Sequence, residues 1–194
     1  RERQNILIAG GTSTGKTTLA NALLAEIAAT GDRVLVLEDT IELQCASRDH
    51  VPLRARAGVV SMQELVRATM RLRPDRVIVG EVRGGEALDL VKVWGTGHPG
   101  GVATIHAGSA LGALLRLEQL ILEVAVNPPR ALIAEAINVV IHIAGRGRKR
   151  RVESIVRVVG FDGVGYRMAD ALEMPFPELP PVPSPSPEPS GELP

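Results

Sequence analysis

Short aliphatic runs alternate along this chain with longer stretches whose apolar residues return every three or four positions. The first run, residues 5–9, ends in Gly10 and Gly11 and reads as a buried strand entering a tight turn. Residues 16–29 carry good helix formers and an apolar stripe, with Gly31 as a stop signal. Residues 33–37 predict the next strand, followed by the acidic loop Glu38-Asp39-Thr40-Ile41-Glu42. Ser61 with Glu64 three positions on is a capping box, opening a helix over residues 61–72. A strand over 76–79, a helix over 86–94 and a strand over 102–105 come next. Helices over 109–124 and 129–138 follow, the second with proline in its first turn. From residue 139 the pattern turns to strands, over 139–143, 152–159 and 166–168, with turns at Gly145 and Asp162-Gly163. Strands alternating with helices and then a strand-rich close predict an α/β fold. Its sheet is mainly parallel and flanked by helices, with a β-rich antiparallel extension at the C-terminal end. Residues 1–174 are expected to form one domain. Beyond Met174 the composition collapses into Pro, Ser and Glu, so residues 175–194 are expected to be a flexible tail unable to bury enough apolar surface to order itself.

Composition narrows the core. Apolar residues make up 45% of the chain but aromatics only 2%, so Val, Ile, Leu and Ala must fill the interior, as in a parallel sheet with aliphatic buried strands. The formal net charge is zero, which removes any bulk electrostatic argument for nucleic acid or an anionic membrane. A single cysteine, Cys45, excludes an intramolecular disulfide framework and is compatible with a reducing cytosol. No apolar stretch approaches the roughly 20 residues that span a bilayer, and no signal peptide precedes the first strand. The chain opens without Met in a charged tetrapeptide, as expected of an excised fragment.

The turn after the first strand carries chemistry. Gly10-Gly11-Thr12-Ser13-Thr14-Gly15-Lys16-Thr17 fits G-x-x-x-x-G-K-[ST] at every constrained position, and Thr18 completes the segment. Glycines there let backbone N–H groups turn inward onto phosphate oxygens, and the following helix aims its positive end at the same anion. Lys16 is expected to reach the β- and γ-phosphates of a nucleotide and the Thr17 hydroxyl to coordinate Mg²⁺. An ordinary glycine turn has no need of Gly-Lys-Thr.

Hydrolysis needs a polarised water and a group that registers the γ-phosphate. Glu81 follows the aliphatic strand 76–79 and Gly80, at the carboxyl edge where a parallel sheet forms its ligand crevice. A carboxylate there can deprotonate or orient water, or hold a water ligand of Mg²⁺. The aspartate usual in such a strand is replaced by Gly80, which cannot bind metal. Glu38 ends the strand 33–37 and shares that edge, with a solvated loop carboxylate as the bland alternative. His106, after the strand 102–105, is a third residue there and can donate to a terminal phosphate, although a lone histidine after a strand is more often a structural hydrogen-bonder. His98 is expected to shape its loop. The basic run Arg146, Arg148, Lys149, Arg150, Arg151 lies between two predicted strands, has glycines interleaved and lacks an aromatic stacking platform, so a solvated hairpin turn is favoured over nucleic-acid binding.

Four boxes now stand in order: the phosphate loop, Leu37-Glu38-Asp39-Thr40-Ile41-Glu42, Gly80-Glu81-Val82-Arg83, and Gly97-His98-Pro99-Gly100-Gly101-Val102-Ala103-Thr104-Ile105-His106-Ala107. Together they resemble the secretion ATPase superfamily of type II and type IV secretion and type IV pili. The Gly-His-Pro-Gly-Gly variant, with Gly108 after Ala107, and the lack of a four-cysteine insert look most like the conjugative-transfer ATPases of the type IV branch. The resemblance covers residue 5 to about residue 172. It implies a RecA-like P-loop NTPase domain that hydrolyses ATP with Mg²⁺, with Glu38 as catalytic acid, Glu81 as the Walker B glutamate and His106 as the γ-phosphate contact. In that family Gly80 is no obstacle to hydrolysis. The resemblance further implies a homohexamer on the cytoplasmic face of the inner membrane, working with secretion or conjugation machinery. In that family most arginines completing the site come from an N-terminal domain and its linker; this chain is expected to lack that domain, with Arg1 and Arg3 as candidates for the end of the linker. Rival readings are a type IV pilus or type II secretion motor, a non-hydrolytic nucleotide switch, and a direct nucleic-acid translocase, which the neutral charge disfavours.

Overall fold

A computed structural model describes residues 3–171. The Pro-rich segment 175–194 and Arg1 lie outside the described residues. Eight strands form one sheet: β1 Ile6–Gly10, β2 Val34–Glu38, β3 His50–Arg54, β4 Arg76–Val82, β5 Val102–Ile105, β6 Val139–Ala144, β7 Arg151–Phe161 and β8 Tyr166–Asp170. Their spatial order is β3-β2-β4-β5-β1-β6-β7-β8. All pairings from β3 across to β6 are parallel, and β7 and β8 add antiparallel strands at the far edge. The expected mixed α/β sheet with an antiparallel extension is thus what the chain builds.

Among the described residues five α-helices cover the sheet: α1 Lys16–Ala28, α2 Met62–Thr69, α3 Glu86–Gly95, α4 Ala110–Ile121 and α5 Arg130–Ala136. Because side chains alternate along a strand, β1 and β2 serve two cores. Leu7, Ala9, Leu35 and Leu37 pack toward α2 to α5, while Ile8, Val34 and Val36 pack toward Ala20, Leu24 and Ile27 of α1. Both layers are aliphatic, and Trp94 is the exception, buried and donating from Nε1 to the Val77 carbonyl at 3.1 Å. The capping box at α2 is present: Ser61 Oγ accepts from Glu64 N at 3.2 Å and Glu64 Oε2 accepts from Ser61 N at 2.7 Å.

Two elements depart from the sequence-based expectation. No strand is expected between Glu42 and Ser61, yet β3 pairs in parallel with β2 there. It is short, alternates exposed and half-buried residues, and contains Pro52, a residue that argues against a strand unless the strand lies at an edge. β3 is such an edge, so the missing N–H costs no ladder bond to a further neighbour. β4 runs on to Val82 instead of ending before Gly80, with its register to β5 shifted between Val79 and Val82. No described helix is long and apolar enough to cross a membrane.

Asn5 fastens the sheet at the end remote from the phosphate loop. Its side chain is buried, donates to the Ala136 carbonyl at 2.8 Å and accepts from Gly101 N at 2.9 Å, joining the approaches to β1, β5 and β6. Asn5→Ala leaves both backbone groups buried without those partners. We expect it to destabilise the fold by about 2–4 kcal/mol in urea denaturation, since each orphaned buried group costs ~1–3 kcal/mol. A change inside the roughly 0.5 kcal/mol range of neutral surface substitutions would show that water replaces the side chain.

Candidate functional site

At the carboxyl edge of the parallel strands lies a cavity of about 410 Å³. The segment Thr12 to Thr18 lines it, together with Glu38, Glu81, Thr104, His106 and Arg150. β1 feeds this segment at Gly10, where a Cβ would stand 2.7 Å from the Ile143 carbonyl of β6. Gly15 has φ +101°, and Ser13, with φ 61°, holds a left-handed conformation that non-glycine residues seldom adopt. α1 begins right after this turn with no side chain capping its N-terminus and no acidic residue in its first turn. α2 and α4, in contrast, are capped by Ser61 and Ser109. The first N–H groups of α1 have no intrahelical acceptor, so this end is built to receive an anion.

Lys16 is buried at the same place, its Nζ donating to the carbonyls of Gly10 at 3.1 Å and Gly11 at 3.0 Å. Burial holds the Lys16 ammonium below the usual lysine range, an effect that nearby Glu81 and Glu42 partly oppose. The Thr17 hydroxyl donates to Glu42 Oε2 at 2.9 Å. These two hard oxygen groups suit Mg²⁺, which takes few protein ligands and keeps water and phosphate oxygens for the rest of its shell.

The register shift in β4 falls at Gly80 and Glu81. Such an irregularity re-aims a side chain, and here Glu81 turns into the cavity. Its Oε2 is held by Arg83, whose Nε donates at 2.7 Å and whose other arm reaches Asp39. The Glu81 bond is the main reason the Arg83 pKa is raised above its ordinary value. Oε1 of Glu81 is buried, and His106 Nε2 stands 2.7 Å from it. Among the described residues that imidazole is the close neighbour of Oε1, which accepts no hydrogen bond from a backbone or other side-chain donor. A buried carboxylate oxygen in that position is costly unless something donates to it, and a water in the cavity can. Gly80 contributes by what it lacks: a Cβ there would lie 3.2 Å from Glu38 Cγ. Thr104 of β5 holds the Gly80 carbonyl at 2.7 Å.

All three residues picked out at strand ends, Glu38, Glu81 and His106, therefore line one cavity with the phosphate loop. Their surroundings differ. Glu81 offers a buried oxygen whose close neighbour is the exposed His106. Glu38 is buried and turned onto its own loop, Oε1 accepting from Glu42 N at 2.9 Å and Leu43 N at 2.8 Å. The acidic-box carboxylate that reaches Thr17 belongs to Glu42, a residue the strand-end argument passes over because it sits four positions beyond the strand. His98 Nδ1 donates to the Pro74 carbonyl at 2.9 Å, which suits a loop role. The basic run forms a hairpin between β6 and β7 with a single 3-10 turn, Gly147–Lys149, as the bland reading has it. Arg150 departs from that reading by lining the cavity.

Comparisons with known proteins agree on a relationship. Residues 1–154 match the family model described as type II/IV secretion system protein. Over 167 residues the chain is 51% identical to the conjugal transfer protein TrbB of Rhizobium radiobacter, covering 85% of this chain and 51% of that protein. It is 39% identical over 166 residues to the type IV secretion system protein PtlH of Bordetella pertussis, covering 77% of this chain and 49% of that one. Its fold matches the crystal structure of the VirB11 ATPase from the Brucella suis type IV secretion system, in complex with sulphate, with a TM-score of 0.73 and 32% identity over 80% of this chain and 48% of that one. The chain spans about half the length of the curated relatives it matches.

Proposed function

Since the chain belongs to the type II/IV secretion system protein family, among its conjugal-transfer and type IV secretion members, we propose that it is the ATP-hydrolysing, RecA-like domain of a traffic ATPase that powers conjugative transfer or type IV secretion. The observation that carries this reading is the meeting of an uncapped helix end and Lys16 with the paired Glu81 and His106 in one cavity.

The residues divide the work as follows. Backbone N–H groups from Gly10 to Thr18 and the Lys16 ammonium bind the phosphates. Thr17, with Glu42 beside it, would hold Mg²⁺, which would supply positive charge against the phosphates. Glu81 Oε1 accepts the proton of the attacking water, while Arg83 fixes the other oxygen and so the plane of the carboxylate. His106 meets the terminal phosphate. Glu38, expected as catalytic acid, acts through the loop that it anchors, holding Glu42 against Thr17. Residues 1–174 form the ATPase domain, and the whole protein works as a homohexamer at the cytoplasmic face of the inner membrane with the secretion machinery.

Phosphate release from ATP, measured with Mg²⁺ and after its removal by a chelator, tests the reading. Release that is present with Mg²⁺ and lost on chelation is expected. Saturable ATP binding without release would instead favour the non-hydrolytic switch.

A further inference from the structure

The charges around the cavity are not all spoken for. Lys16 is bonded to loop carbonyls, and Arg83 to Glu81 and Asp39. Arg150 lines the same cavity, yet its side chain has neither a hydrogen bond nor an ion pair among the described residues. Its neighbour Arg151 does, to Glu153 at 2.7 Å.

The fold explains how a hairpin residue gets there. β6 lies beside β1 in parallel, with Ile143 opposite Gly10, so the turn that follows β6 hangs over the phosphate loop. Gly145, at φ +82°, starts that turn, and Arg150 N donates to the Gly147 carbonyl at 3.4 Å as it closes. The stem of Arg150 then crosses the loop at Gly15: its Cδ is 3.6 Å from where a Cβ at Gly15 would be. Glycine at this position serves both the left-handed turn and the passage of the arginine.

The strand order fixes which part of a ligand Arg150 meets. Glu81 belongs to β4 and His106 follows β5, both on one side of β1; Arg150 follows β6, on the other side. The phosphate loop lies between them. A triphosphate whose terminal phosphate faces Glu81 must run its remaining phosphates and nucleoside away from β4 and β5, toward β6. We propose that Arg150 is an in-cis nucleotide-binding residue, its guanidinium paired with the α-phosphate. This rests on the reading of the cavity as a nucleoside triphosphate site. Because the α-phosphate is present before and after cleavage, Arg150 contributes binding common to substrate and product, unlike an arginine that acts on the γ-phosphate in the transition state.

The test compares dissociation constants for MgATP, MgADP and MgGTP, together with kcat and KM, in wild type, Arg150→Ala, Arg148→Ala and Lys16→Ala. Arg148 is an exposed cation of the same turn and controls for bulk charge. Arg150→Ala is expected to weaken all three nucleotides by about tenfold and by the same factor, as loss of one charge-assisted hydrogen bond does. KM for ATP should rise with the dissociation constant, and Arg148→Ala should leave affinity unchanged. The melting temperature without nucleotide should stay the same, while the gain on adding MgADP shrinks, which a purely structural role would not produce. A loss confined to kcat, or to ATP but not ADP, overturns the assignment, and so does a loss for adenine nucleotides alone, which would indicate contact with the base. If Lys16→Ala loses nucleotide and Arg150→Ala does not, only the role of Arg150 falls. If wild type shows no saturable binding, the nucleotide reading fails and this inference with it.

Discussion

Glu81→Gln is expected to lower ATP turnover at saturating nucleotide by about a hundredfold or more, the usual cost of losing a general base, while ATP still binds. The substitution keeps the shape of the side chain, so the kink of β4 and the contact with Thr104 through Gly80 have no reason to change. Arg83 must donate to an oxygen, which orients the new amide with its carbonyl toward Arg83 and its NH₂ toward the place of Oε1. An NH₂ group there can only donate, so it cannot take a proton from water. Lys16 also loses one of the carboxylates that offset its burial, a smaller effect that acts on binding. Binding and phosphate release have to be measured separately. If turnover per bound ATP holds while affinity falls, Glu81 serves the metal or the loop, and the base must be sought in the other carboxylates of the cavity, Glu42, Asp39 and Glu38.

That ambiguity among carboxylates marks where the sequence stops informing. Strands such as β1, β2 and β4 are legible because burial on both faces makes them continuous aliphatic runs, and a phosphate loop is legible because its chemistry is local in the chain. Which carboxylate of the acidic box turns toward Thr17 is decided by two backbone bonds to Glu38 that reverse the loop, and nothing in the order of residues announces them. β3 hides for a different reason: an edge strand is half solvated and tolerates Pro52, so it lacks both the apolar run and the strict pattern of an interior strand. Arg150 could not be found by scanning its neighbourhood. Its basic run has the composition of a solvated turn, and it becomes part of the site only because β6 sits next to β1. Adjacency of β6 and β1 joins residues more than a hundred positions apart, which only topology supplies.

Lys16→Ala is expected to reduce nucleotide affinity by about a hundredfold or more and to abolish measurable hydrolysis. In the structure the ammonium is buried and two of its three donors go to the carbonyls of Gly10 and Gly11. Those bonds hold the side chain against the loop, and a phosphate bound there offers stronger, charged acceptors within reach of the same ammonium. Each hydrogen bond between ionised partners is worth ~1.5–3 kcal/mol, so losing two phosphate contacts removes roughly 3–6 kcal/mol. Alanine has no group that can replace them. The variant should remain folded, because removing a buried ammonium relieves a desolvation cost even as it frees two carbonyls that water can reach from the cavity. The pH dependence supplies an independent check. Burial lowers the Lys16 pKa in the free protein, and an anionic phosphate must raise it on binding, so affinity is constant below the free-protein pKa and weakens as pH rises above it. Wild-type ATP affinity should therefore fall on the alkaline side, starting below the ordinary lysine value of 10.5, and that fall should be missing from Lys16→Ala. An alanine variant that binds and hydrolyses ATP like wild type would show that the ammonium stays with its carbonyls, and the phosphates would have to be held by the helix end alone.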